Sequence, residues 1–105
     1  MNETTLTPQP WMERTQLLFG EERQRELMRC HVLIVGLGGV GGMAAELIAR
    51  AGIGRLTIVD ADIVQPSNIN RQIVATADSI GRPKAEVLAE RLRSINPAIE
   101  LEVVE

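Results

Sequence analysis

Two short stretches and one isolated lysine hold most of this sequence's chemical potential. The first stretch is GLGGVG, Gly36 to Gly41, in which Gly36, Gly38 and Gly41 fit G-x-G-x-x-G. Between a strand and a helix, such a loop lets backbone approach a phosphate. Its free N–H groups and the helix dipole then favour an anion. Asp60 follows 19 residues after Gly41, at the end of the strand-like run LTIVD. A carboxylate there is placed to accept hydrogen bonds from ribose hydroxyls. Glycine loop plus acid reads as a nucleotide site, by default one for NAD.

The second stretch, SNINRQ, runs from Ser67 to Gln72, and the lysine is Lys84. Arg71 offers a planar fork for phosphate oxygens and Asn68 an amide donor. Lys84 follows Pro83 in the expected first turn of a helix, where a cation opposes the macrodipole by about 0.3–1 kcal/mol. The position makes sense if an anion shares the site. Ligands of open α/β sheets bind beyond the C-terminal strand ends. Asn68, Arg71 and Lys84 are therefore expected to converge on the phosphates of a nucleotide seated on the glycine loop. Several cationic groups suit a triphosphate better than a dinucleotide's pyrophosphate. On residue type alone, solvated surface charge is the commoner role for an arginine and a lysine. Asn70 and Gln72 acquire no role from this reasoning.

The elements that must position these groups follow from periodicity. EERQRELMR, 21–29, is rich in helix formers, with Leu27 and Met28 apolar. HVLIVG reads as a strand buried on both faces. Val40, Met43, Ala44, Leu47, Ile48 and Ala51 form one helical stripe, ended by Gly52 and Gly54. LTIVD is a second buried strand. Ala61 to Gly81 is a long loop, and Ala85, Leu88, Ala89, Leu92 and Ile95 give a second helical stripe that Asn96-Pro97 ends. Ile99, Leu101 and Val103 alternate with Glu100 and Glu102, as on an edge strand. The expected class is α/β: the N-terminal half of a Rossmann-like parallel sheet, strand order 3-2-1, preceded by a helix. Residues 1–12 are expected to form a flexible tail and 13–105 the N-terminal part of a longer nucleotide-binding domain.

Composition sets the outer bounds. With 45% hydrophobic and 24% charged residues the chain reads as one soluble globular unit. No apolar run approaches the ~18 residues of a membrane span. The net charge of −3 argues against a broad nucleic-acid surface. A single cysteine, Cys30, excludes an internal disulfide and is expected to be a small core residue. His31 is expected to pack or hydrogen-bond at a strand start, and Trp11 to anchor the tail. A cytoplasmic location is expected.

RTQLLFG (14–20), VLIVGLGGVGG (32–42), AGIGRLTIVDADIVQPSNINRQ (51–72) and GRPKAEVLAERLRSINP (81–97) closely resemble the E1-like superfamily, which includes ThiF, MoeB and the ubiquitin-activating enzymes. The ERTQLLFG opening, GLGGVGG and the S-N-x-N-R-Q form look most like its tRNA threonylcarbamoyladenosine dehydratase branch. The resemblance implies ATP-Mg binding and adenylation of a carboxylate. That carboxylate is the C-terminus of a ubiquitin-like or sulfur-carrier protein, or the threonylcarbamoyl group of a modified tRNA, which then cyclises. By resemblance Gly36, Gly38, Gly39 and Gly41 form the nucleotide loop and Asp60 holds the ribose. Asn68, Arg71 and Lys84 contact the phosphates, and Arg14 reaches across a homodimer into the partner's site. A magnesium-binding aspartate is expected beyond Glu105, so residues 1–105 alone are expected to show no turnover. Two readings compete: an NAD-binding oxidoreductase or sensor domain, and a non-catalytic nucleotide-binding or dimerisation module.

Overall fold

The computed structural model describes residues 6–105. In chain order the elements are α1 (Glu13–Phe19), α2 (Glu21–Arg29), β1 (His31–Val35), α3 (Gly39–Arg50), β2 (Arg55–Val59), α4 (Lys84–Ile95) and β3 (Glu100–Val104). The three strands form one parallel sheet in the order β1-β2-β3, the expected arrangement. The register sets Val32, Leu56 and Leu101 side by side, and Ile34, Ile58 and Val103 one step on. Those six face Ala45 and Ala49 of α3 and Leu88, Ala89 and Leu92 of α4, so both crossover helices cover the same side of the sheet. Leu88 and Leu92 are fully buried there. Leu88→Ala is expected to cost about 2–5 kcal/mol of stability, read by urea denaturation of the full-length protein. A loss below about 1 kcal/mol would contradict this packing.

Two expectations about burial need correction. β1 is not buried on both faces: Leu33 and Val35 are 62% and 72% exposed. No helix among the described residues lies over that side. The apolar stripe of α3 is also not its packing face. Val40, Met43 and Leu47 are exposed, whereas Gly42, Ala45 and Ala49 are buried. At ~100° per residue the two sets lie about 180° apart. Small residues let α3 approach the sheet closely, which leaves its large apolar side chains pointing outward.

The N-terminal segment also departs from expectation. Residues 1–5 of the expected flexible tail lie outside the described residues. Leu6 and Met12 are buried together with Met28. Trp11 is 40% exposed, so the anchors are Leu6 and Met12 instead. α1, which periodicity did not single out, ends at Gly20. α2 docks through Gln24 and Met28, and Gln24 Nε2 donates to the Ala51 carbonyl. Cys30 is exposed, not a core residue, because it caps α2 with its Sγ against the Glu26 carbonyl. His31 Nε2 lies 2.7 Å from Thr57 Oγ1, as its place at a strand start led us to expect.

Candidate functional site

The C-terminal ends of β1 and β2 carry the glycine loop and Asp60. Gly36 has φ +88°, a left-handed conformation that L side chains rarely adopt, and its N–H donates to the Val59 carbonyl at 2.8 Å. A Cβ on Gly41 would lie 1.7 Å from the Gly36 carbonyl oxygen. The first turn of α3 therefore presses directly on the loop. Gly42 N–H donates to the Gly38 carbonyl, the first bond of the helix. The N–H groups of Gly39, Val40 and Gly41 precede it and have no partner within the helix. Unpaired N–H groups at a helix start are the arrangement that can hold an anion.

Asp60 joins this loop to the segment that leaves β2. One carboxylate oxygen accepts the Leu37 N–H and the other the Asp62 N–H, each at 2.7 Å. Each keeps acceptor capacity for a further donor such as a hydroxyl.

The long loop after Asp60 is built into the core. Val64 and Val74 are buried, Ile63 bridges to Pro83, and Ser79 Oγ donates to the Val74 carbonyl while accepting the Thr76 N–H. Asn68 is 7% exposed and its Oδ1 accepts the Gln65 N–H at 2.8 Å, which closes the Pro66–Asn68 turn. Arg82 pairs with Glu86 and Glu90 and fixes the entry to α4.

Lys84 opens α4, and its N–H donates to the Asp62 carbonyl at 3.0 Å. The residue is 7% exposed and lines a pocket, so it does not project freely from the surface as residue type favours. No ion pair to it exists among the described residues. Lysines are almost never this buried without a partner. Lys84 and Asn68 line one open polar pocket of about 480 Å³ with Ala61, Asp62, Ile63 and Gln65. Two of the three expected phosphate contacts therefore share a cavity beside the Asp60 turn.

Arg71 is not brought there. It is exposed, and its Nη1 donates to the Ser67 carbonyl and to Asn70 Oδ1, both at 3.0 Å. Asn70, without a role on sequence grounds, is a tether for that guanidinium. Gln72 is buried against Gly38, a contact the sequence did not signal. Arg14 is exposed on α1, with Leu17 and Leu18 on the same helical face. A second cavity of about 320 Å³, lined in part by Met12, Met28, Gly52 and Asn96, lies at the opposite strand ends, away from these groups. Among the described residues no group of three or more His, Cys, Asp or Glu side chains could hold a metal ion. No helix there is long and apolar enough to cross a membrane.

Comparison with known proteins matches residues 12–105 to the model of the ThiF family. The chain is 47% identical over 98 residues to the tRNA threonylcarbamoyladenosine dehydratase of Escherichia coli K12, across 90% of this chain and 37% of that protein. It is 47% identical over 78 residues to the sulfur carrier protein ThiS adenylyltransferase of the same organism, across 74% of this chain and 31% of that protein. The crystal structure of the E. coli dehydratase in complex with ATP superposes with a TM-score of 0.86 at 47% identity, covering 89% of this chain and 38% of that one.

Proposed function

Because this chain belongs to the ThiF family, we propose that its glycine loop, Asp60, Asn68 and Lys84 form the ATP-binding part of an enzyme that activates a carboxylate by adenylation. The observation that carries the reading is Lys84, buried without an ion pair in the pocket that Asn68 shares. A cation in the first turn of a helix opposes the macrodipole unless an anion shares the site. The N–H groups of Gly39, Val40 and Gly41 and the Lys84 ammonium would hold phosphate oxygens, and Asp60 the ribose. Adenylation joins a carboxylate oxygen to the α-phosphorus and releases pyrophosphate. Fixed cationic and N–H groups favour it by stabilising the charge that develops. Arg71 would join them after exchanging its contacts to Ser67 and Asn70. Magnesium enters only as the counter-ion of the triphosphate. The described residues offer no ligand set for it.

The favoured carboxylate is the threonylcarbamoyl group on tRNA. The dehydratase relative matches 90% of this chain and the ThiS adenylyltransferase 74%, which supports that order. A sulfur-carrier C-terminus is the second candidate. A homodimer is part of the proposal: α1 exposes Leu17, Leu18 and Phe19 beside Arg14 and buries none of its own residues, which suits a second copy docked there. A cytoplasmic location belongs to the same reading.

The test is exchange of labelled pyrophosphate into ATP by the full-length protein, offered either threonylcarbamoylated tRNA or a sulfur-carrier protein. Exchange dependent on the tRNA is the expected result, and Arg71→Ala should remove most of it. Calorimetric binding of NAD in preference to ATP would overturn the assignment.

A further inference from the structure

Gln72 is the one side chain of the candidate site whose position the proposed chemistry leaves unused. It is 8% exposed, and its Oε1 is buried without a hydrogen-bond partner among the described residues. Its carboxamide stands against the glycine loop: a Cβ built on Gly38 would lie 3.4 Å from Gln72 Nε2 and 3.8 Å from Cδ. The next residue continues the contact, with Ile73 Cγ1 3.4 Å from a Cβ built on Gly42. The backbone of Gln72 is fixed from the other side, its N–H donating to the Asn68 carbonyl at 2.9 Å and its carbonyl accepting the Ala75 N–H at 3.0 Å. The glycine loop is thus gripped at two consecutive residues, Leu37 by Asp60 and Gly38 by Gln72.

A buried orphan acceptor is a cost that folded proteins rarely retain without reason. Apolar side chains of the same length would fill this position without that cost. The free N–H groups at the start of α3 lie one to three residues beyond Gly38.

We propose that Gln72 is a positioning residue of the nucleotide site: its carboxamide sets the conformation in which Gly38 and the start of α3 present their N–H groups to phosphate. It acts through Gly38 and touches no reacting atom. Because Arg71 immediately precedes it, the same contact fixes the root of that arginine relative to the loop. The proposal rests on the ATP reading above and deepens it.

The test is calorimetric ATP affinity and melting temperature of the full-length protein, of Gln72→Met, of Gly38→Ala and of the double variant. Methionine keeps the length and removes both polar ends. Gln72→Met is expected to melt at or above the parent temperature and to bind ATP about tenfold more weakly. The double variant should lose less than the product of the two single losses, because both act at one contact. Unchanged ATP affinity in Gln72→Met, or single losses that multiply, overturns the proposal. If Gln72→Met melts below the assay temperature, Gln72→Asn takes its place. That variant keeps the carboxamide but withdraws it by one methylene. At least fivefold weaker binding is expected of it, and parent affinity overturns the idea. Failure of the parent protein to bind ATP overturns the underlying reading and this proposal together.

Discussion

A Lys84→Met variant of the full-length protein is expected to bind ATP about ten- to a hundredfold more weakly and to melt no lower than the parent. The two effects have separate causes. A hydrogen bond from a charged donor to phosphate contributes about 1.5–3 kcal/mol, and each ~1.4 kcal/mol is a factor of ten in affinity. Removing the ammonium should therefore be visible at once in calorimetry. Stability responds in the opposite sense. Lys84 is 7% exposed, sits at the N-terminal end of α4 and has no ion pair among the described residues. The helix dipole disfavours a cation in this turn. Methionine removes that cost and keeps the apolar stem. A residue retained for folding would show the reverse, a lower melting temperature with ATP affinity intact, and that outcome would remove Lys84 from the site.

The sequence made the order of elements and the sheet readable because two strong signals coincided. Continuous β-branched runs marked β1 and β2, and glycine or proline punctuated every junction except that of α2 and β1, where Cys30 stands alone. The alternation of Leu101 and Val103 with glutamates identified β3 as an edge strand, and the register places both apolar residues on the helix side. Periodicity misled at α3, which is apolar on two opposite faces. A hydrophobic stripe shows that some face is apolar, but not which face meets the sheet. The small residues Gly42, Ala45 and Ala49 carry weak hydropathy and yet permit the closest approach. α1 escaped notice for a related reason. It buries nothing among the described residues, so its Leu17, Leu18 and Phe19 answer to no core within this chain.

The candidate site divides in the same manner. Gly36, Gly41 and Asp60 were legible because each meets a local backbone requirement: a left-handed turn, a close approach, a carboxylate at a strand end. Lys84 was legible only as an anomaly, a cation at the wrong end of a helix, and burial strengthens that argument. Arg71 shows the limit of reading by residue type. Its guanidinium is satisfied by Ser67 and Asn70, so its distance from the pocket depends on a loop contact that spacing does not encode. Gln72 was invisible for the same reason. Its significance lies in an orphan oxygen and a contact to Gly38, and both exist only once residues 34 positions apart in sequence are brought together.

The glycine loop supplies the second large effect, because one methyl group should change stability very differently at two of its glycines. In Gly41→Ala the new Cβ would lie 1.7 Å from the Gly36 carbonyl oxygen and 2.9 Å from its carbon. Backbone must move to make room, so the loss should match or exceed the ~1–3 kcal/mol typical of an overfilled core. The turn that presents the N–H groups is displaced with it, and ATP binding should disappear. In Gly39→Ala the Cβ meets no atom within 4 Å, and the residue stands at the start of α3 without a positive φ. Stability should stay within about 0.5 kcal/mol of the parent or rise, since alanine restricts the unfolded chain. The open space beside Gly39 is where the proposed phosphate would lie. Affinity for ATP should accordingly fall at least tenfold, about 1.4 kcal/mol, in a protein that folds normally. Melting curves and calorimetry on the two full-length variants separate a loop that only turns the chain from one that also holds a ligand. If Gly39→Ala binds ATP as tightly as the parent, the phosphates do not sit on this helix end.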